Sequence, residues 1–327
     1  MKPVIRLKNL SRQYGQKIAL NNVSLDVPSG CVFAFLGENG AGKTTAIKSI
    51  MGLDKPTSGT VEVLGMNPQT AGIDVRRRVG YVSDSPALYD WMTVSQTGWF
   101  TSGFYPPGFE DKFRHLCEQF DLPTDQKVKS LSKGGRAKVS LALSMAHEPE
   151  LLIMDEPTSG LDTLVRRKFL ESMVDVAAEG RTVLLSSHQI PEVERVADQV
   201  AIIHEGQVLV NDRLDNLKQR IERWVVSFEE TPKPLPAFAG QIINHEGVNQ
   251  KRQQLVISDP GPDALWQLRD HPGVVNVEVH TPSLEEIFIA FLSSNESPAR
   301  LRRNANSTSP VTVDTPASSD AKGGSVQ

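Results

Sequence analysis

The sequence sets little aside for disulfides, membrane crossing or attraction to a polyanion. Two cysteines among 327 residues, Cys31 and Cys117, give no basis for a disulfide framework or a cysteine-built metal site. Cys31 lies inside the apolar run CVFAFL, the setting of a small buried hydrophobe, and the chain fits a reducing compartment. No stretch approaches the roughly 20 apolar residues of a membrane-spanning helix; Leu151 to Met154 and Val200 to Ile203 are strand-sized. The N-terminal MKPVIRLKNLSRQYG alternates apolar and polar residues and lacks the apolar core of a signal peptide. A formal net charge of −4 gives no basic footprint for nucleic acid. Any role at a membrane therefore needs a partner that crosses it. The rest, 39% apolar and 23% charged, suits a globular protein of roughly two domains.

Val4 to Leu10 and Val23 to Val27 alternate like half-buried strands, whereas Cys31 to Leu36 is continuously apolar, as in a strand covered on both faces. That run leads into GENGAGKTT and a helix-patterned stretch, Ala46 to Met51. Val61 to Leu64 and Val79 to Val82 are short strands. From about 85 to 148 the pattern is helical, broken at Tyr105-Pro106-Pro107-Gly108 and Asp121-Leu122-Pro123. Two buried-type strands, Leu151 to Met154 and Thr182 to Ser186, flank a helix from Leu164 to Ala178, and Val200 to Val210 is a hairpin turning at Glu205-Gly206. Strands alternating with helices imply a largely parallel sheet. After about 212, strands at Trp224 to Phe228, Leu255 to Ser258 and Val274 to Val279 join helices at Asp263 to Arg269 and Leu284 to Leu292 in a small α/β appendage. From 295 the composition predicts a disordered tail; its Arg300, Arg302 and Arg303 read as a solvated charge cluster.

Two motifs carry chemistry. Gly37-Glu38-Asn39-Gly40-Ala41-Gly42-Lys43-Thr44-Thr45 fits the phosphate-binding loop G-x-x-x-x-G-K-[ST]. Glycines let backbone N–H groups curl round a phosphate, and the following helix offers its positive N-terminus. Lys43 reaches the β- and γ-phosphates, and the Thr44 hydroxyl suits Mg²⁺. Four apolar residues, Leu151 to Met154, then deliver Asp155 and Glu156 to the end of a buried strand, where open α/β sheets bind ligands. Asp155 is expected to hold Mg²⁺ through water and Glu156 to act as general base toward the attacking water. These motifs alone specify a P-loop NTPase.

Further pieces narrow the reading. Leu131-Ser132-Lys133-Gly134-Gly135 precedes the acidic strand, Ser159-Gly160-Leu161-Asp162 follows it, and Ser186-Ser187-His188 closes the next strand. With the phosphate loop, and in this order, they resemble the ABC ATPase family over about residues 1–211. The resemblance implies two copies meeting head to tail around two ATP molecules, with Ser132 and the Gly134 N–H gripping the γ-phosphate across the interface. It implies that His188 contacts that phosphate and orients the water, and that Asp162 belongs to an interface loop linking the two sites. Tyr14 matches the family's adenine-stacking aromatic, a contact worth roughly 1–3 kcal/mol; an ordinary edge tyrosine is the other reading. Two departures stand out: Asp84 occupies the place of a glutamine that contacts Mg²⁺ and the water, and Gly135 replaces the glutamine ending the signature loop. Asp84 is held as a metal-side residue acting through water.

The resulting expectation is an α/β fold: a P-loop NTPase core of the ABC type (1–211) with antiparallel β and α-helical (about 85–148) subdomains, a small C-terminal α/β domain (212–294) and the tail (295–327). The C-terminal Thr281-Pro282-Ser283-Leu284-Glu285-Glu286-Ile287-Phe288 resembles the ATP-binding subunits of bacterial ABC-2-type exporters. Function then follows as an ATP- and Mg²⁺-dependent hydrolase subunit, homodimeric, without nucleic acid, cytoplasmic and attached to the membrane through a separate permease. Trp91 and Met92 lie where related transporters receive a short permease helix, and equally suit the core of the helical subdomain. A soluble ABC ATPase acting on ribosomes or DNA is the alternative; the single Lys43-type loop and the lack of sustained heptads stand against it.

Overall fold

A computed structural model describes residues 2–159, 161–230 and 234–294. The chain opens with strands β1 (Ile5–Tyr14), β2 (Lys17–Val27) and β3 (Val32–Leu36), helix α1 (Lys43–Ile50) and β4 (Ser58–Val63). Helix α2 (Gly72–Arg78) and β5 (Val79–Val82) lead to three helices, α3 (Val94–Ser102), α4 (Phe109–Gln119) and α5 (Lys133–Met145). Then come β6 (Leu151–Asp155), α6 (Thr163–Ala178), β7 (Thr182–Ser187), α7 (Ile190–Val193) and the hairpin β8 (Gln199–His204)–β9 (Gln207–Arg213). The remainder is α8 (Leu214–Arg220), β10 (Ile221–Phe228), β11 (Gln241–Asn249), β12 (Arg252–Ser258), α9 (Ala264–Arg269), β13 (Val274–His280) and α10 (Leu284–Ser293).

The central sheet has the order β5-β6-β7-β3-β8-β9, parallel except for β9. Its inner strands are continuously apolar because both faces are covered. Residues alternate between two cores: Val32, Ala34 and Leu36 of β3 face one, Phe33 and Phe35 the other. The second core is closed by α1 and the antiparallel sheet β2-β1-β4. The first is closed by α6 and α7 and continues into the appendage through Leu217, Ile221, Leu284, Ile287 and Phe288. Each such buried side chain contributes roughly 1.5–3 kcal/mol, enough to hold the appendage against the central sheet.

Helices α3, α4 and α5 share their own core around Phe109, Phe113, Val139 and Ala142. A capping box, Thr93 with Gln96, starts α3, and a second, Ser283 with Glu286, starts α10. The appendage is a four-stranded antiparallel sheet, β11-β12-β10-β13, packed with α9 around Trp224.

The structure extends several expected strands: β1 runs to Tyr14, which ends that strand and precedes β2 across a tight hairpin. It adds α2, α7, α8 and β11, elements the apolar pattern did not mark. The expected tail, with Arg300, Arg302 and Arg303, lies outside the described residues, as does Gly160. Among the described residues no helix is long and apolar enough to cross a membrane.

Candidate active site

Strand β3 ends at Leu36, and the chain turns at once into the glycine loop. Two glycines there are fixed by the fold itself. A Cβ on Gly37 would sit 2.5 Å from the Ile203 carbonyl oxygen, and Gly42 has φ +112 with the Ala19 carbonyl 2.6 Å from where its Cβ would be. The loop therefore tucks between β2 and β8 and releases α1 with its N-terminus facing a cavity of about 300 Å³. Tyr14, Glu38, Asn39, Gly40, Gly42, Lys43, Thr44, Thr45, Asp84 and Glu156 line that cavity, so most of the expected nucleotide-site residues are brought together. Gly37 and Ala41 are buried within the loop.

The parallel pairing of β6 and β7 sets Asp155 beside Ser186, which brings Glu156 close to His188. Asp155 is 2% exposed, beneath the cavity lining, and the Ser186 hydroxyl donates to its Oδ1 at 2.6 Å. The same hydroxyl oxygen accepts from the Glu156 N–H at 3.1 Å. Glu156 has φ +50, the left-handed region, at a cost of roughly 1–2 kcal/mol for a residue with a Cβ. This turn aims its carboxylate back over the glycine loop. Oε1 lies 3.1 Å from the Lys43 ammonium, a charge contact without hydrogen-bond alignment, so Oε1 is buried with no hydrogen-bond partner. His188 Nδ1 lies 2.7 Å from Oε2; a carboxylate only accepts, so Nδ1 carries the proton. Lys43 is 5% exposed and donates to the Gly37 carbonyl at 2.7 Å and the Glu38 carbonyl at 3.2 Å.

Negative charge gathers on the far side. Burial, then the charges of Asp155 and Asp84, push the Tyr81 hydroxyl up to about 12. Thr44, Asp155 and Asp84 present oxygen donors only, which suits a hard divalent cation. Among the described residues no three His, Cys, Asp or Glu cluster as a metal cage.

Tyr14 stands at the cavity edge. The Arg12 guanidinium sits 4.4 Å over its ring, its hydroxyl bonds Asp54, and the residue is 42% exposed. Lys17 and Ala19 also line the cavity, and no motif marks either of them. Ser132 and Gly134 are not in this cavity; they open α5, where the Ser132 hydroxyl oxygen accepts from the Gly135 N–H at 3.1 Å. Asp162 likewise caps α6, accepting from the Val165 N–H at 3.0 Å. Of the two residues considered for a partner surface, Met92 is buried and Trp91 is 63% exposed. Trp91 joins a surface group of Tyr89, Phe100, Phe104 and the neighbouring Trp99, with rings 5.6–5.9 Å apart from Trp91 through Tyr89 and Phe100 to Phe104.

The sequence matches the family described as "ABC transporter" over residues 20–159, and a shorter match, to "AAA domain, putative AbiEii toxin, Type IV TA system", spans residues 126–193. It is 32% identical to the bacitracin transport ATP-binding protein BcrA of Bacillus licheniformis, over 69% of this chain and 74% of the relative. It is 30% identical to the Nod factor export ATP-binding protein I of Sinorhizobium fredii, over 87% of this chain and 84% of the relative, a span that takes in the appendage. Among solved structures, an ATP-binding subunit of an ABC transporter superimposes with TM-score 0.62 at 32% identity, covering 66% of this chain and 92% of the other.

Proposed function

The chain belongs to the ABC transporter ATP-binding proteins, ATPases that power transport, and from that premise we propose that it dimerises head to tail and drives export through a separate permease. The observation that carries this reading is the convergence of Lys43, Glu156 and the glycine loop on one cavity, with His188 bonded to Glu156.

In this reading the α1 N-terminus and Lys43 take the β- and γ-phosphates, and Lys43 gives up its loop carbonyls to do so. The exposed Tyr14 ring takes the adenine. Thr44 would hold Mg²⁺, with Asp155 and Asp84 acting on it through water; the metal when bound neutralises charge on the β- and γ-phosphates. Glu156 accepts the proton of the attacking water at the unbonded Oε1. His188 holds Oε2 through Nδ1–H, which fixes the carboxylate plane; a contact from Nε2 to the γ-phosphate calls for a proton on that nitrogen as well. Ser132 and Gly134 act across the dimer, facing the other subunit's phosphate loop, and Asp162 lies in the loop between the two sites.

The division at residue 212 into motor and appendage is part of the same reading. The aromatic group around Trp91 and Phe104, 68% exposed, is the surface that receives the permease, since interface cores are enriched in aromatics. The protein then works at the inner face of the cell membrane. The name of one relative, for Nod factor export, supports export, and that of the other, for bacitracin transport, supports transport. No feature of the described residues favours action on ribosomes or DNA.

The test is ATP turnover by the purified chain beside Glu156→Gln, with gel filtration in ATP and Mg²⁺ and fractionation of the cell membranes. Turnover is expected to fall at least ~100-fold in the variant, which accumulates as an ATP-bound dimer, while the wild type follows the membranes. A wild type that neither hydrolyses nor dimerises, or that cosediments with ribosomes, refutes the proposal.

A further inference from the structure

Arg166 lies in the first turn of α6 and donates to three acceptors on two segments. Nη1 reaches Gln189 Oε1 and Glu192 Oε1, both at 2.6 Å, and Nη2 reaches the Leu161 carbonyl at 2.8 Å. Leu161 belongs to the loop that leaves Glu156, Gln189 follows His188 directly, and Glu192 lies on α7. We propose that Arg166 is a positioning residue for hydrolysis: it locks the segment carrying His188 against the segment leaving Glu156, and so sets the contact between those two side chains. This rests on the reading of Glu156 and His188 as the hydrolytic pair.

The geometry is that of a clamp rather than of an ordinary ion pair. Arg166 does not close both prongs on Glu192; Glu192 Oε2 and Arg166 Nε have no hydrogen-bond partner, and the second prong goes to a backbone carbonyl instead. The side chains are 19% and 27% exposed, so these charge-assisted bonds are only partly screened. Helix α7 has four residues and cannot hold its own place by helix formation. Arg166 fixes one end of it. At the other end Glu194 accepts from Lys218 at 2.6 Å and from the Leu284 N–H at 3.2 Å, which ties the segment to α8 and to the start of α10. A displacement of His188 against Glu156 by about 1 Å is enough to cost ~100-fold in rate.

Two variants separate positioning from stability. Arg166→Lys keeps the charge but cannot span three acceptors with one ammonium. The double variant Arg166→Met/Glu192→Leu removes both charges together, so no lone carboxylate is left half-buried. For each, kcat and KM for ATP, melting temperature, equilibrium binding of a fluorescent ATP analogue, and the His188 ring resonances by NMR are measured against wild type. The expected result is a 10- to 100-fold fall in kcat, KM and analogue affinity within about twofold, and shifted His188 resonances, in a double variant that melts near wild type. A folded double variant with wild-type kcat and unmoved His188 resonances overturns the proposal, as does a parallel loss of kcat and nucleotide binding. A wild type without turnover overturns the underlying reading of the site, and this proposal with it.

Discussion

Ser186→Ala removes one hydroxyl that serves two functional residues at once. The residue is fully buried, its O–H donates to Asp155 Oδ1 at 2.6 Å, and its oxygen accepts from the Glu156 N–H at 3.1 Å. A hydrogen bond to a charged group contributes about 1.5–3 kcal/mol. Glu156 keeps a longer bond to the Ser186 carbonyl, 3.2 Å, but loses the shorter of the two that hold it at φ +50. Together these place the destabilisation at about 2–3 kcal/mol, or roughly 4–6 °C in melting temperature at ~2 °C per kcal/mol for a chain of this size. Ser187→Ala is the matched control: it too is buried, but its hydroxyl only accepts from the neutral Gln189 N–H at 2.9 Å, a bond worth about 1 kcal/mol. Urea unfolding followed by far-UV circular dichroism measures both. Because Asp155 and Glu156 both lose a restraint, kcat is also expected to fall about tenfold or more in Ser186→Ala. Equal destabilisation in the two variants, with Ser186→Ala turning over at the wild-type rate, would refute the claim that this hydroxyl organises the acidic pair.

Two other outcomes are expected. Burial lowers the pKa of His147, against the weaker opposite effect of the Val79 and Leu143 backbone; the folded value thus lies below the unfolded one. The unfolded chain therefore takes up the proton first, so this contribution to stability is complete above about pH 6.5 and is lost as pH falls below it. His147→Phe, which keeps the stack on Tyr105 at 4.5 Å, should flatten that decline in urea unfolding between pH 8 and 5.5. Gly134→Ala should leave the monomer as stable or up to about 0.5–1 kcal/mol more stable, yet reduce ATP-driven dimerisation and turnover at least ~10-fold; gel filtration and phosphate release would show it, and unchanged turnover would count against the trans role of this loop.

Strands β3, β6 and β7 were legible because burial on both faces leaves an unbroken apolar run, and the β8–β9 hairpin because Glu205-Gly206 marks its turn. The glycine loop was legible because few other functions demand that spacing. Strand β11 was not: of QIINHEGVN only Ile243 is buried, so the pattern that reports burial had nothing to report. Helices α2 and α8 are short, and each buries only one or two side chains. Within the site, the types of Glu156 and His188 could be read, but not their contact across 32 positions, which depends on β6 and β7 being neighbours in register. Arg166 was hidden for the same reason, since its acceptors lie 5, 23 and 26 positions away.

The glycines show where one chain stops explaining its own sequence. At Gly37 and Gly42 the fold supplies the reason: a Cβ would strike the Ile203 or Ala19 carbonyl at 2.5 and 2.6 Å. At Gly134 it supplies none. A Cβ there would meet the Leu161 and Val165 side chains, each at 3.6 Å, and the Ser132 hydroxyl oxygen at 3.8 Å, all ordinary contacts, and alanine is the better helix former. A residue that costs helix stability without relieving any clash inside the chain answers to something approaching from outside. The Ser132 hydroxyl agrees with this: its oxygen accepts from the Gly135 N–H, and among the described residues its own proton meets no acceptor. A phosphate held on the glycine loop of a second copy would meet both requirements, because it needs close backbone approach and accepts hydrogen bonds. In the proposed head-to-tail dimer the signature loop would find its reason in the second copy, whereas the phosphate loop already finds its reason within one chain.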